Sequence, residues 1–284
     1  MFTNKAIGSL SSTDSRLRGL EGWHNSIRFI ITHWKILLRV TLTDLKTRYA
    51  GAVLGLGWMV LYPLLFLLVY AGVYLVIFQV RVPNLSPIQY VLIIFSGLVP
   101  FIMISEALGA GVSAVIANKT ALSSTVFPID LAPVKAVLLA QGTQAVGFSI
   151  ILIAAMLSGW LHWTVILLPL VWGALVLFLI GLSWLLSIVN VALRDLTYSI
   201  GLIIILIMIA SPIAYTPDMV PEKFRLVMYL NPFAPFIIAF QKILVLGQLP
   251  NLGESIFIIL ISLCVFYVGG WFFYRTKKVM LDYV

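Results

Sequence analysis

Charge is scarce in this 284-residue chain: Asp, Glu, Lys and Arg make up 10% of it, against 62% hydrophobic residues. Between Lys135 and Arg194 lie 58 residues with none of the four, broken only by the turn-like patch Ser158-Gly159-Trp160-Leu161-His162-Trp163. A bilayer core is crossed by about 20 apolar helical residues. The run therefore has room for two helices and a tight hairpin, and it excludes a soluble fold. The single cysteine, Cys264, excludes an internal disulfide. The polar, basic N-terminus has neither an apolar core nor a small-residue cleavage site, so no cleavable signal peptide is expected. No Gly-x-x-x-x-Gly-Lys-Ser/Thr loop occurs, and the chain is not expected to hydrolyse nucleotide by itself. His24, His33 and His162 are scattered, with no Cys/His cluster, so no metal site is expected. No carboxylate pair falls inside an uncharged run, which argues against proton coupling and against glycosyl transfer.

What is present is a set of long apolar runs. Ala50 to Val80 predicts one span and Val82 to Ser105 most of a second; the 58-residue run supplies the third and fourth. Leu196 to Pro217 predicts a fifth and Ser255 to Tyr274 a sixth. The expected fold is all-α and integral to the membrane, a single transmembrane domain over residues 1–284. Six spans put both termini on one side. If that side is the cytoplasm, it carries fourteen Lys and Arg residues and the opposite side only Arg81, Lys223, Arg225 and Lys242. This is a positive-inside distribution, and it accounts for the net charge of +8 without nucleic acid.

Two segments break the pattern. A cytoplasmic tail (1–26) leads into residues 27–50, where Ile30, Ile31, Trp34, Leu37, Leu38, Leu42 and Leu45 recur at three- and four-residue steps among Arg28, Lys35, Arg39, Lys46 and Arg48. This spacing predicts an amphipathic helix lying in the cytoplasmic interface. The region 212–252 contains Asn231-Pro232 and Ala234-Pro235 yet stays apolar. Irregular backbone at membrane depth has to be covered by protein or line a wet cavity, so short re-entrant helices on the outer face are expected. A tail over 275–284 follows the last span.

Four separated patches resemble one family. They are Thr43-Asp44-Leu45-Lys46-Thr47-Arg48-Tyr49 with the run to Trp58; Ser105-Glu106-Ala107-Leu108 with Val126-Phe127-Pro128-Ile129-Asp130-Leu131-Ala132-Pro133; Asn190-Val191-Ala192-Leu193-Arg194-Asp195-Leu196; and Ser211-Pro212-Ile213-Ala214-Tyr215 with Asn231-Pro232. In order and spacing they look like the ABC-2-type permeases that export O-antigen, capsule or teichoic-acid chains. The chain departs from that pattern in two places. Ser123, Ser124 and Thr125 stand where many relatives carry lysines, and Ala50 stands at an often basic site.

The resemblance implies a bacterial inner-membrane subunit, with both termini cytoplasmic, acting as a homodimer on two separate ATPase subunits. Those subunits would hold the ATP and Mg; this chain would carry no cofactor. Phe127, Pro128, Ile129 and Asp130, in the loop 116–132, would couple the ATPase to the gate, with Asp130 as a registering charge; an ordinary turn is the plain alternative. Asp44, Lys46 and Arg48 would meet the phosphate of a lipid-linked polysaccharide, or simply greet bulk headgroups. Arg194 and Asp195 would form a gate contact or a helix-end ion pair. Pro212, Tyr215, Asn231 and Pro232 would belong to a periplasmic gate. Glu106 needs no more than a snorkelling or helix-pairing role. Tyr62, Phe66, Tyr70 and Tyr74 recur every four residues along the first span. They serve either as helix packing or as a glycan channel, because aromatic faces pack on sugar rings with little stereochemical demand. Rival readings are an ABC-2 exporter of drugs or simple lipids, a membrane-embedded glycan transferase, and a passive channel.

Overall fold

A computed structural model describes residues 30–79, 86–118, 128–215, 221–222, 226, 228 and 230–283, with side chains as far as Lys277. The tail 1–26, Phe127 and part of the region 212–252 lie outside the described residues. Regular structure among the described residues is helical throughout: α1 Trp34–Arg48, α2 Trp58–Ala71, α3 Pro87–Ala117, α4 Leu131–Leu157, α5 Leu168–Ala192, α6 Asp195–Ala210, α7 Ala234–Gln241 and α8 Leu252–Tyr283. Short 3-10 turns, Gly55–Gly57 and Trp163–Leu167, lead into α2 and α5, and π-helical turns, Gly72–Ile77 and Lys242–Leu246, extend α2 and α7. Among the described residues, five segments are long and apolar enough to cross a bilayer: Gly55–Ile77, Pro87–Ala117, Leu131–Leu157, Trp163–Ala192 and Leu252–Lys277. The chain is a multi-pass membrane protein.

Three helix boundaries differ from those the apolar runs suggest. Helix α3 begins at Pro87, where Ser86 Oγ accepts from Gln89 N at 3.2 Å and Gln89 Oε1 accepts from Ser86 N at 3.4 Å. This reciprocal box fixes the start, with proline preset for the first helical position. The same helix continues past Ser105 to Ala117, and Glu106 within it finds partners inside the protein. Helix α6 stops at Ala210 rather than near Pro217. Pro212 lacks an N–H and drives Ser211 into an extended conformation (φ −93°, ψ 135°). With 16 residues, α6 is about 24 Å long, short of a hydrocarbon core of about 30 Å.

Helix α3 is the hub, packed against α2, α4, α5, α6 and α7. Most of its apolar length is buried, whereas little of the segment around α2 is. Small residues let the surrounding helices close in. A Cβ on Gly147 would sit 2.6 Å from Val99 Cγ1, and one on Gly111 would sit 2.5 Å from Ser183 Oγ. The tightest crossing joins α5 to α8: a Cβ on Gly181 would overlap the Val265 carbonyl oxygen, and one on Gly269 would overlap the Gly181 carbonyl oxygen. Trp184 then covers Gly270 and packs on Phe266 and Phe273, ring centroids 5.4 and 6.3 Å away.

Candidate functional site

Polar side chains gather at one end of the bundle, where α1 lies across α3 and α4. Leu37 and Thr41 are buried on the inner face of α1, and Leu45 rests against Gly142. Further along that face, Asp44 pairs with Lys135 at 2.8 Å, and Lys135 Nζ also donates to Asn118 Oδ1 at 2.9 Å. One turn on, the Arg48 guanidinium donates to both Glu106 oxygens at 3.3 and 3.4 Å, and Thr143 Oγ1 donates to Glu106 Oε2 at 3.2 Å. Lys35, Arg39 and Lys46 face away from the bundle, beside exposed Ile31, Trp34, Leu38 and Leu42. The amphipathic spacing thus yields three faces: one packed, one apolar and exposed, and one basic and exposed.

Asp130 belongs to the same end. It was expected to present a charge outward; instead it is buried and accepts from Lys277 Nζ at 3.1 and 3.2 Å. Its backbone carbonyl accepts from Trp184 Nε1 at 3.1 Å, and Lys277 lies 4.6 Å from the Tyr274 ring centroid. Ile129 is also buried and Pro128 half-buried, so both flank the loop rather than project from it. The expected Arg194–Asp195 ion pair is not formed among the described residues. Both side chains are exposed, and the junction is held instead by Asn190, whose Oδ1 accepts from the backbone N and the Oγ1 of Thr197 at 3.1 and 2.8 Å. Adjacent residues at a helix start point apart, which leaves this capping contact to set the angle between α5 and α6.

At the other end the non-helical segment Ser211–Tyr215, turned by a bond from Ile213 N to the Ser211 carbonyl at 2.8 Å, packs against α3 and α7. Unpaired carbonyls at such depth cost several kcal/mol in hydrocarbon, and side chains supply the missing donors. Gln241 Nε2 donates to the Pro212 and Ile213 carbonyls at 2.9 and 3.1 Å, and Tyr90 Oη donates to the Ala214 carbonyl at 2.6 Å. Asn231 Nδ2 donates to Ser211 Oγ at 2.8 Å, while Asn231 Oδ1 accepts from Phe233 N at 3.0 Å, across Pro232. Tyr215 Oη donates to the Ile209 carbonyl at 3.1 Å. The π turn after α7 is held in the same manner. Thr164 Oγ1 donates to the Ile243 carbonyl at 2.7 Å, and Lys242 pairs with Glu254 of α8 at 2.7 Å.

Helix α2 connects the two ends and carries the aromatic stripe. Tyr62, Phe66, Tyr70, Tyr74 and Phe78 follow one another with ring centroids 5.8, 5.9, 6.0 and 5.8 Å apart, the first pair tilted, the next two stacked and the last edge-on. The ladder is half-open rather than packed away. Tyr62, Leu65, Phe66, Val69 and Tyr70 line a groove of about 250 Å³.

Sequence reasoning therefore singled out Asp44, Arg48, Asp130, Pro212, Tyr215 and Asn231, all of which lie at one of two polar clusters. It missed Lys135, Lys277, Tyr90, Gln241 and Thr143. Lys135 and Gln241 carried a usable signal, as the one charged residue of α4 and the one polar residue of α7; Tyr90 and Thr143 carried none. No group of three or more His, Cys, Asp or Glu that could hold a metal ion occurs among the described residues.

The ABC-2 type transporter family matches residues 36–245. The chain is 30% identical over 221 residues to an O-antigen export system permease protein, RfbA, of Klebsiella pneumoniae, covering 75% of this chain and 82% of that protein. It is 26% identical over 255 residues to the RfbA permease of Myxococcus xanthus, covering 89% and 96%. It is also 22% identical over 239 residues to the polysialic acid transport protein KpsM of Escherichia coli, covering 84% and 91%. The matched region runs from α1 to the π turn after α7 and so includes the aromatic ladder and both polar clusters apart from Lys277 and Glu254 of α8; the chain belongs to the ABC-2 type transporter family.

Proposed function

We propose that this chain is the transmembrane subunit of an ATP-driven exporter that moves a lipid-linked, O-antigen-like polysaccharide outward across a bacterial inner membrane. The similarity to export permeases of O-antigen and polysialic acid, over most of the length of each, is the observation that carries this reading. Two copies would form the conduit, and two separate ATPase subunits would bind ATP and Mg beneath them. The chain itself would be no enzyme.

Six crossings, with both termini cytoplasmic, fit the path of the backbone. Although α6 is short, it starts beside Asn190, at the Lys277 end, and delivers Ser211–Tyr215 to Tyr90 at the other. The segment after it fits a re-entrant hairpin: Phe236 and Phe240 pack on Phe178 and Phe148, each about 14–15 Å from its helix end at 1.5 Å per residue. Gly247 then returns the chain to His162 in the α4–α5 turn.

The conduit wall would be α2 with α6, the two apolar helices that bury least: Met59 and Pro63 in one, Ile200 in the other. The ladder Tyr62, Phe66, Tyr70 and Tyr74 would stack on passing sugar rings. Arg48, with Asp44 and Lys46 near it, would receive the lipid phosphate, and Ser211–Tyr215 with Asn231 and Pro232 would close the far exit. Phe127, Pro128, Ile129 and Asp130 would form the root of the ATPase-coupling loop, with Asp130 anchoring it inward.

Reconstituted vesicles containing this chain and its nucleotide-binding partner test the reading directly. ATP-dependent translocation of a lipid-linked glycan is expected. Efflux of small hydrophobic drugs without glycan would reassign the cargo, and sugar transfer by the purified chain alone would make it a transferase.

A further inference from the structure

Glu106 is, among the described residues, the one carboxylate more than two turns inside a long apolar helix: it stands 19 residues after Pro87 and 11 before Ala117. Its partner Arg48 comes from α1, a different element that lies across the bundle rather than through it. A charge placed at such depth is costly unless paired, and it marks a functional position by default.

The pair is built unlike its neighbours. Asp44–Lys135 closes at 2.8 Å, Lys242–Glu254 at 2.7 Å and Asp130–Lys277 at 3.1 Å, with the lysines 12, 17 and 25% exposed. Arg48 reaches Glu106 only at 3.3 and 3.4 Å and keeps 43% of its side chain exposed. Charge-assisted bonds of a well-seated guanidinium close to about 2.7–2.9 Å, so this fork is loosely held and open on one side. Glu106 does not depend on Arg48 alone. The buried hydroxyl of Thr143 donates to it at 3.2 Å and remains in place if Arg48 leaves. Asp44–Lys135 likewise keeps α1 docked one turn away.

We infer that Glu106 is an exchangeable occupant of the Arg48 fork, holding it in the empty protein and yielding it to the phosphate of a lipid headgroup. This deepens the proposed function and rests on the reading of Arg48 as the phosphate receiver. A guanidinium fork accepts carboxylate and phosphate in the same bidentate geometry. A diphosphate brings more charge and more acceptor oxygens than one carboxylate, so it displaces Glu106 where a weakly charged or neutral headgroup does not. The internal carboxylate thereby sets a threshold: ordinary lipids meet an occupied fork and a diphosphate-linked lipid opens it. Rejection of the commoner partner through competition of this kind is a way of gaining specificity without a new contact.

The test is binding of radiolabelled polyprenyl diphosphate to the full-length chain in nanodiscs, for the wild type and for Glu106→Gln, Glu106→Asp and Arg48→Gln, with thermal unfolding recorded for each. If the occupied fork accounts for about nine-tenths of the empty protein, freeing it tightens binding about tenfold. Glu106→Gln is therefore expected to lower Kd about tenfold, Glu106→Asp to lower it by less, and Arg48→Gln to raise it. Glu106→Asp keeps the charge and serves if Glu106→Gln does not fold. Unchanged affinity in both Glu106 variants, with weakened binding in Arg48→Gln, would overturn the exchange and leave the phosphate-receiver reading standing. Unchanged binding in Arg48→Gln would overturn both. Phosphatidylglycerol and inorganic pyrophosphate as competitors separate the sources: the lipid diphosphate should win over either. Equal competition by phosphatidylglycerol would assign the fork to bulk lipid and overturn the threshold.

Discussion

Lys277 of α8 and Asp130 ahead of α4 stand 147 residues apart in sequence and 3.1 Å apart in space. The contact fastens the last helix to the root of the loop that joins α3 to α4. Since Trp184 of α5 bonds the backbone of the same aspartate, three elements meet at one residue. Any displacement of that loop is felt in α5 and α8 together.

Removing one member of this pair should destabilise the subunit. A fully buried pair broken on one side costs about 3–5 kcal/mol, and Lys277 retains 25% exposure, so a smaller penalty of about 2 kcal/mol is expected for Asp130→Asn. Thermal unfolding in detergent measures it. The exchanged pair, Asp130→Lys with Lys277→Asp, should recover part of the loss. If Asp130→Asn unfolds at the wild-type temperature, the contact is not a fastening.

The α5–α8 crossing gives a prediction with an internal control. Gly181→Ala forces two backbones apart, and a well-packed interface resists added atoms by about 1–3 kcal/mol. Gly269→Ala should behave alike, since the added carbon would meet the Gly181 carbonyl. Gly173, in the same α5, has nothing within 4 Å of a built Cβ. There the change to Ala should be neutral or stabilising by up to about 1 kcal/mol through helix propensity. Unfolding midpoints for Gly181→Ala and Gly269→Ala must both fall below that of Gly173→Ala.

The segment Ser211–Tyr215 depends on borrowed donors. Gln241→Leu strips the Pro212 and Ile213 carbonyls of theirs, at about 1–3 kcal/mol for each buried acceptor left unpaired. Tyr90→Phe removes a single bond to Ala214 and should cost about 1 kcal/mol. Amide exchange over residues 213–215 is the readout, with faster exchange in Gln241→Leu than in Tyr90→Phe. Wild-type protection in both variants would mean that other contacts hold the segment.

The aromatic ladder separates conduction from energy supply. Tyr62→Ala and Tyr70→Ala together should slow glycan translocation several-fold while ATP hydrolysis by the assembled transporter persists. Tyr62→Phe with Tyr70→Phe should retain transport, because stacking needs the ring and not the hydroxyl. Flux assays on reconstituted vesicles decide between them. Equal loss in the Ala and Phe pairs would point to the hydroxyls instead.

Several elements were readable before any coordinates. The 58-residue uncharged run became α4, a turn at Ser158–His162, and α5. The four-residue aromatic period became a continuous ladder, since i and i+4 side chains share a helix face. The Pro-rich region was recognisable as irregular, and Pro212 does end α6. Where reading failed, it failed at charges. Asp130, read as a registering charge, is buried on Lys277, and Arg194 and Asp195, read as an ion pair, are both exposed. Glu106, read as a snorkelling or helix-pairing residue, does pair helices, through Arg48 and Thr143, but its partners were not legible.

What the linear order of residues decides here is residence in the bilayer: the length of an apolar run against the thickness of hydrocarbon is a one-dimensional comparison, made without knowing any neighbour. It also marks the break after α6, where Pro212 acts on its own backbone, although α2 and α3 continue through Pro63 and Pro100. Which polar groups meet is another matter. Arg48 and Glu106 are 58 residues apart, and Gln241 and Pro212 are 29 apart. Their pairing exists only once the helices have packed through their glycines. In a medium that offers no water, each buried charge or carbonyl must find its partner within the protein, and the tertiary structure alone selects that partner.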